Sequence, residues 1–366
     1  MNKKGLLKIH RWIGIILAIL LTVQGLTGVV LVFREEIERA IHPALVLVAL
    51  PDRAPLQKML DKVQAAHAEF SVDRIEFSAR KTDAVIFRLV ANDGSRRLVA
   101  VDPFRNSLVR DGPMLSWPVE LVFYIHHSLL AGSVGHYVIG LEGLALLFLG
   151  VTGPVIWWPG GRRVRSGLTV TYNRGADIAW RTSHRTCGAI SATLLGISAL
   201  TGCAMVWKGE LRDFIGTWAP MVDKPSPVVK ALPNSPMVRI DRLIAVARQD
   251  YGDNTLRQVR FVNQGRVAVI FLARKGAWYP EAVNQIYYDR YTGREVARYV
   301  EGELPVATEA MDLLFPIHAG TAGGVVTRLL VVISGTALVG LSVSGLWLWN
   351  SRRTRGARTN AKPRRR

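Results

Sequence analysis

Eight histidines occur in the chain, and four of them form two pairs with matching surroundings. His10-Arg11-Xaa-Xaa-Gly14 returns 174 residues later as His184-Arg185-Xaa-Xaa-Gly188. Glu120-Leu121-Val122-Phe123-Tyr124-Ile125-His126 returns 192 residues later as Asp312-Leu313-Leu314-Phe315-Pro316-Ile317-His318. A neutral imidazole ligates transition metals, and two rings on facing helices can hold an iron porphyrin between them. The bland alternative is a set of interfacial rings left by a duplication. Zinc competes poorly, because it requires four clustered ligands or three plus water. Methionine is absent from the matched positions, and the two cysteines, Cys187 and Cys203, belong to no Cys-Xaa-Xaa-Cys-His motif, which excludes c-type attachment. If the pairs ligate, bis-histidine haem b is the remaining option, with two haems per chain.

The other polar candidates rank below these four. His127 neighbours His126 but its repeat partner is Ala319, and His136 matches Arg328, as an interfacial residue would. His42 and His67 read as solvated. Arg11 and Arg185, beside the first pair, either meet haem propionates or are ordinary basic flanks of membrane helices. Glycines at 14, 25, 28, 143, 150 and 153, with 188, 202, 335, 340 and 345 in the other half, allow close approach either of a flat macrocycle or of a neighbouring helix. Glu142 is an acid inside an apolar run, either packed as the neutral acid or engaged in proton or quinol handling.

The composition says what positions these residues. The 366 residues are 49% apolar with mean hydropathy +0.19, yet carry a net charge of +19. Residues 1–11, 159–185 and 351–366 hold +17 of that charge, each beside a long apolar run. A nucleic-acid protein would show a basic face on a folded unit instead. The pattern is the positive-inside signature of a membrane protein, and no nucleic-acid partner is expected. Four runs are long enough to span a bilayer: 12–33, 137–158, 186–207 and 329–349. The first is too long for a signal-peptide core and ends in Phe33-Arg34-Glu35-Glu36 without a small-residue cleavage site, so it reads as an uncleaved span. Both termini and the 159–185 loop are expected on the cytoplasmic side, together with a basic tail at 350–366.

The chain also repeats itself. Leu26-Thr27-Gly28 recurs as Leu200-Thr201-Gly202, and Gly143, Gly153 and Trp157 match Gly335, Gly345 and Trp349 at the same offsets as the histidine pairs. The expected organisation is a tandem parallel repeat of span, outer module, short interfacial helix and span. The outer modules are 34–114 and 208–305, and the short helices 115–132 and 308–320. Each module reads as one helix and a few strands, closing on a turn at Asp102-Pro103-Phe104-Arg105-Asn106 in the first and Asp289-Arg290-Tyr291-Thr292-Gly293 in the second. The cytoplasmic segments are too short to fold around a nicotinamide or flavin, and no Gly-Xaa-Gly-Xaa-Xaa-Gly or P-loop pattern is present. Any electrons must come from a membrane quinol or a separate donor.

These motifs together resemble the PepSY-associated transmembrane helix family. The resemblance rests on His10-Arg11-Trp12-Ile13-Gly14, Leu26-Thr27-Gly28, the charged run 34–38, Ile125-His126-Xaa-Ser128-Leu129, Thr152-Gly153 through Trp157-Trp158, and the Asp289–Gly293 turn. Phe104-Arg105-Asn106 departs from the Tyr-Thr-Gly usual in that turn. The implied fold is an all-α four-helix transmembrane bundle with two small α+β (PepSY-like) periplasmic domains. Some members of the family are inner-membrane proteins that bind two haems and reduce ferric siderophores in the periplasm. Carried over, this implies His10, His126, His184 and His318 as axial ligands of haem b. Depth alone suggests the pairing of His10 with His184 and of His126 with His318. The implied activity is electron transfer from a quinol or other donor to a ferric siderophore. Trp218, Trp278, Tyr279 and Tyr291 are candidate docking aromatics on the outer modules, with core packing or hairpin stabilisation as the alternative for each. The rival is a non-enzymatic sensor or scaffold whose modules bind a protease or peptide.

Overall fold

The computed structural model describes residues 2–252, 255–274, 279 and 283–360, so Trp278 and residues 361–366 of the tail lie outside the described part. The chain forms two compact units. One comprises Met1–Phe33, Val122–Phe214 and Leu313–Arg366, and the other Arg34–Leu121 and Ile215–Asp312.

The first unit is built on four helices long and apolar enough to cross a membrane: Lys3–Val32, Gly132–Trp157, Ala176–Val206 and Gly324–Asn360. At about 1.5 Å per residue even the shortest exceeds the roughly 30 Å hydrocarbon thickness. The helices continue past the apolar runs into the basic flanks, where long Lys and Arg side chains can keep their charges in water. His10 and His184 therefore sit within the first and third helices rather than ahead of them. The first helix packs on the second and fourth, and the third packs on the same two, closing a four-membered ring. Outward faces stay apolar, with Ile16 and Ile19 about 70% exposed, which suits lipid rather than water.

Small residues set the helix spacing. A Cβ on Gly25 would lie 2.8 Å from the Gly335 carbonyl oxygen, and one on Gly143 would lie 2.6 Å from Cys203 Sγ. These glycines serve helix packing. Gly28, Gly153, Gly202 and Gly345 instead face histidine rings.

The second unit is α+β. The two sequence modules share one eight-stranded antiparallel sheet, in the order β4-β3-β2-β1-β5-β6-β7-β8. The first module supplies β1 (Phe70–Glu76), β2 (Val85–Ala91), β3 (Arg96–Asp102) and β4 (Ser107–Pro113). The second supplies β5 (Leu256–Val262), β6 (Val267–Ala273), β7 (Val283–Asp289) and β8 (Glu295–Tyr299). The junction is β1 against β5, with Ile75 opposite Val259 and both fully buried. Separate modules would each leave an unpaired edge at that point, and pairing removes both.

Helices Leu56–Ala66 and Ile240–Tyr251 cover one face of the sheet over a common core including Leu60, Phe87, Leu243 and Ile270. Val267, Val269 and Phe271 form a second cluster on the other face, which explains why β6 is buried on both sides. Both Asp turns close hairpins. Asp102 Oδ1 accepts from the Phe104 and Arg105 amides at 2.7 and 3.1 Å, and Asp289 Oδ1 accepts from the Tyr291 amide at 2.8 Å.

Candidate functional site

The first unit holds all four paired histidines, and each ring meets a hydroxyl on a neighbouring helix. His10 Nδ1 lies 2.7 Å from Thr152 Oγ1 on the second long helix, and His184 Nδ1 lies 2.8 Å from Ser344 Oγ on the fourth. His126, on the short helix Pro118–Ser128, places Nδ1 2.9 Å from Thr27 Oγ1 on the first long helix. His318, on the short helix Leu314–Ala319, places Nδ1 3.0 Å from Thr201 Oγ1 on the third.

Each hydroxyl proton is already committed to its own helix. Thr27 donates to the Val23 carbonyl at 2.7 Å, Thr152 to Phe148 at 2.8 Å, Thr201 to Ile197 at 2.8 Å and Ser344 to Leu341 at 3.1 Å. With its proton spent, a hydroxyl can only accept from the ring, so Nδ1 is the protonated nitrogen. The Ser198 carbonyl, 3.1 Å from His318 Nδ1, requires the same tautomer because a carbonyl oxygen has no proton to give. All four rings therefore carry their free lone pair on Nε2, the form of imidazole that binds a metal.

The residue after each hydroxyl is glycine, and the ring lies against it. Cε1 is 3.7 Å from a Cβ built on Gly153 for His10, 3.3 Å on Gly28 for His126, 3.6 Å on Gly345 for His184 and 3.2 Å on Gly202 for His318. The geometry of His10 and His126 recurs at His184 and His318 with the sequence offsets of 174 and 192.

The rings also approach one another. His126 and His318 have centroids 6.1 Å apart and planes inclined at 51°. A metal bound on both sides through bonds of about 2 Å would need a separation of this order. Burial, then the neighbouring His318 and His127 rings, lowers His126 to about 4 against a weaker opposing pull from the Gln24 carbonyl, and burial lowers His318 as well. Both shifts favour the neutral ring. Among the described residues no group of three or more His, Cys, Asp or Glu side chains could hold a metal ion, so a two-ligand centre needs a cofactor with its own equatorial donors. Haem b is such a cofactor, and the tautomers and glycine faces of the four rings, with the ring separation of His126 and His318, fit it.

The remaining candidates are placed as follows. Arg185 donates to the Thr169 carbonyl at 3.2 Å, and Arg11 is exposed at the surface of the first helix. Glu142 is buried, with neither carboxyl oxygen hydrogen-bonded among the described residues. His127 stacks on Phe123 and stands 4.7 Å, centroid to centroid, from His136. In the second unit, His42 and His67 are not solvated. His42 Nδ1 lies 2.6 Å from Glu38 and its ring packs on Trp117, while His67 is buried with Nε2 3.2 Å from Asp111. His67 continues the apolar face Leu56-Met59-Leu60-Val63 at helical spacing, a sign of burial in the sequence, whereas His42 lies in no such run. Of the docking aromatics, Trp218 is exposed, Tyr291 is half-buried, and Tyr279 is buried with its hydroxyl donating to Glu301 at 3.1 Å.

Thr27, Thr152 and Thr201 stand in motifs that carry the repeat and the resemblance, but sequence alone assigns no role to their hydroxyls or to that of Ser344. Their signal is a Ser/Thr-Gly dipeptide within an apolar span, in register with a histidine elsewhere in the chain. Residues 7–352 match the family model for the PepSY-associated TM region. No curated protein matches the chain. With four candidate membrane helices and a match over nearly its whole length, the chain is a membrane protein that belongs to the PepSY-associated transmembrane family.

Proposed function

We propose that this protein is a di-haem b oxidoreductase of the bacterial inner membrane that passes electrons to a periplasmic acceptor, with a ferric siderophore as that acceptor. The observation that carries the reading is the common state of four imidazoles, each held by Nδ1 and each left with Nε2 free. His10 and His184 would ligate one haem and His126 and His318 the other. Haem so bound supplies one-electron transfer, and reduction to ferrous iron weakens a hard-oxygen chelate so that the metal is released.

The chain's own contribution is to hold the rings and to exclude water. The four rings are part-buried between helices, and glycines bring them close to the backbone. Arg11 and Arg185 would meet haem propionates on one side. A membrane quinol or separate donor is required, since no nucleotide-binding motif occurs. The basic flanks support placing both termini in the cytoplasm, which sets the α+β unit in the periplasm as a docking surface. The matched offsets support a tandem parallel repeat.

The test is the visible spectrum of dithionite-reduced protein purified from haem-replete cells, with a pyridine haemochrome assay. Sharp reduced bands and two haems per chain are expected. Colourless protein would remove this reading and leave a membrane-anchored sensor or scaffold. Reporter fusions at both termini test the orientation, and an active periplasmic reporter at either end would overturn it.

A further inference from the structure

We infer that Thr27, Thr152, Thr201 and Ser344 are positioning residues that fix the tautomer and the rotation of the four imidazoles. Their role as partners of a haem ligand rests on the proposed function, whereas the tautomer itself follows from hydrogen bonding in the protein alone.

A ring on a mobile side chain has two neutral tautomers and two orientations related by a flip, and only some combinations direct a lone pair at a shared centre. A hydroxyl removes that choice when its own proton is engaged elsewhere. Here every hydroxyl is engaged by a carbonyl one turn back on its own helix, so its lone pair is a fixed acceptor. The following glycine lets the ring lie on the helix surface. The device occurs four times on three threonines and one serine, and all four hydroxyl residues are half-buried or buried in apolar helices. An unfilled Nδ1–H there would cost a buried donor its partner.

The four sites are not equivalent. His318 has the Ser198 carbonyl as a second acceptor at 3.1 Å. Among the described residues, Thr152 is the only acceptor of His10. Removing the hydroxyl should therefore harm His10 more than His318. A merely steric role for the four residues would give no such order.

The experiment compares Thr152→Val, Thr27→Val, Thr201→Val and Ser344→Ala with the conservative Thr152→Ser, all in the full chain. Haem-free protein labelled with nitrogen-15 histidine should show protonated Nδ1 on these four rings, besides those of His42 and His136, whose Nδ1 faces a carboxylate and a carbonyl, and Thr152→Val should lose that signature for His10 while Thr152→Ser keeps it. Haem titration should show one centre weakened toward 100-fold in Thr152→Val and toward 10-fold in Thr201→Val, the range found when a ligand's supporting partner is removed. The potential of the weakened haem should move positive, because an imidazole that loses its acceptor becomes a poorer donor to ferric iron. If Thr152→Val does not fold, Thr27→Val and Thr201→Val provide the comparison at the other centre. Wild-type protein without haem would defeat the proposed function and leave the tautomer measurement standing. Unchanged tautomer signals, affinity and potential in variants of a two-haem protein would overturn the inference.

Discussion

His126 rests on Gly28 more tightly than His10 rests on Gly153: a Cβ built on the glycine would stand 3.3 Å from the ring in the first case and 3.7 Å in the second. The same contrast separates His318 on Gly202, at 3.2 Å, from His184 on Gly345, at 3.6 Å. A methyl group at the closer distance must displace the ring by a few tenths of an ångström, whereas at the longer distance it makes ordinary contact. Gly28→Ala or Gly202→Ala should therefore broaden or shift the reduced spectrum of one haem. Gly153→Ala and Gly345→Ala should leave both haems as they are. The idea fails if Gly153→Ala perturbs its centre as strongly as Gly28→Ala.

Ligand removal tests the pairing. His10→Ala and His184→Ala should each delete one and the same haem, and His126→Ala and His318→Ala the other, leaving one haem per chain in every case. His127→Ala should leave the spectrum intact, since that ring stacks on Phe123 beside His136. Haem content by pyridine haemochrome reads each outcome. Loss of both haems from a single substitution would contradict the pairing of rings on separate centres.

The membrane helices and paired histidines were legible because hydrophobic runs, basic flanks and a duplicated motif are all local in sequence. The hydroxyls were not, because Thr27 and His126 are 99 residues apart and meet only through packing. Glycines could be found but not sorted: Gly25 meets a helix and Gly28 meets a ring, although they share one helix. The single sheet was likewise invisible. Each module reads as self-sufficient, and the pairing of Ile75 with Val259 depends on two edges that a sequence leaves unassigned.

The shared sheet carries its own consequence. Asp241, in the second module's helix, accepts from the Leu56 and Gln57 amides at 2.7 and 3.1 Å, capping the first module's helix. Gln57 returns the favour by accepting from the Ile240 amide at 3.0 Å. Asp241→Ala removes one cap and should destabilise the α+β unit by about 1 kcal/mol. Hydrogen exchange on the full chain should then rise at the start of helix Leu56–Ala66, in the other module. Protection lost only around Asp241 itself would argue against the cross-cap.

Glu120 and Arg88 form an enclosed ion pair in the α+β unit, with Oε1 2.6 Å and Oε2 3.0 Å from the guanidinium nitrogens and the Glu120 side chain 9% exposed. Burial alone would raise the Glu120 carboxyl, but the Arg88 hydrogen bonds and charge, with Arg34 and Arg74 adding to them, outweigh it and hold the carboxyl below its usual value. A carboxylate depressed in this way stabilises the fold above its ordinary pKa and loses that stability as pH falls through the lowered native value. Glu120→Gln keeps the shape and removes the charge. Arg88 keeps Glu76, whose Oε1 lies 2.9 Å from Nε, so the loss at neutral pH should be about 2 kcal/mol rather than the larger cost of an orphaned charge. Thermal unfolding of the full chain in detergent should show the variant melting earlier at pH 7. The gap should close as acid protonates Glu120 in the wild type. A gap that persists unchanged well below the usual carboxylate range would mean that charge at Glu120 does not hold this part of the unit together.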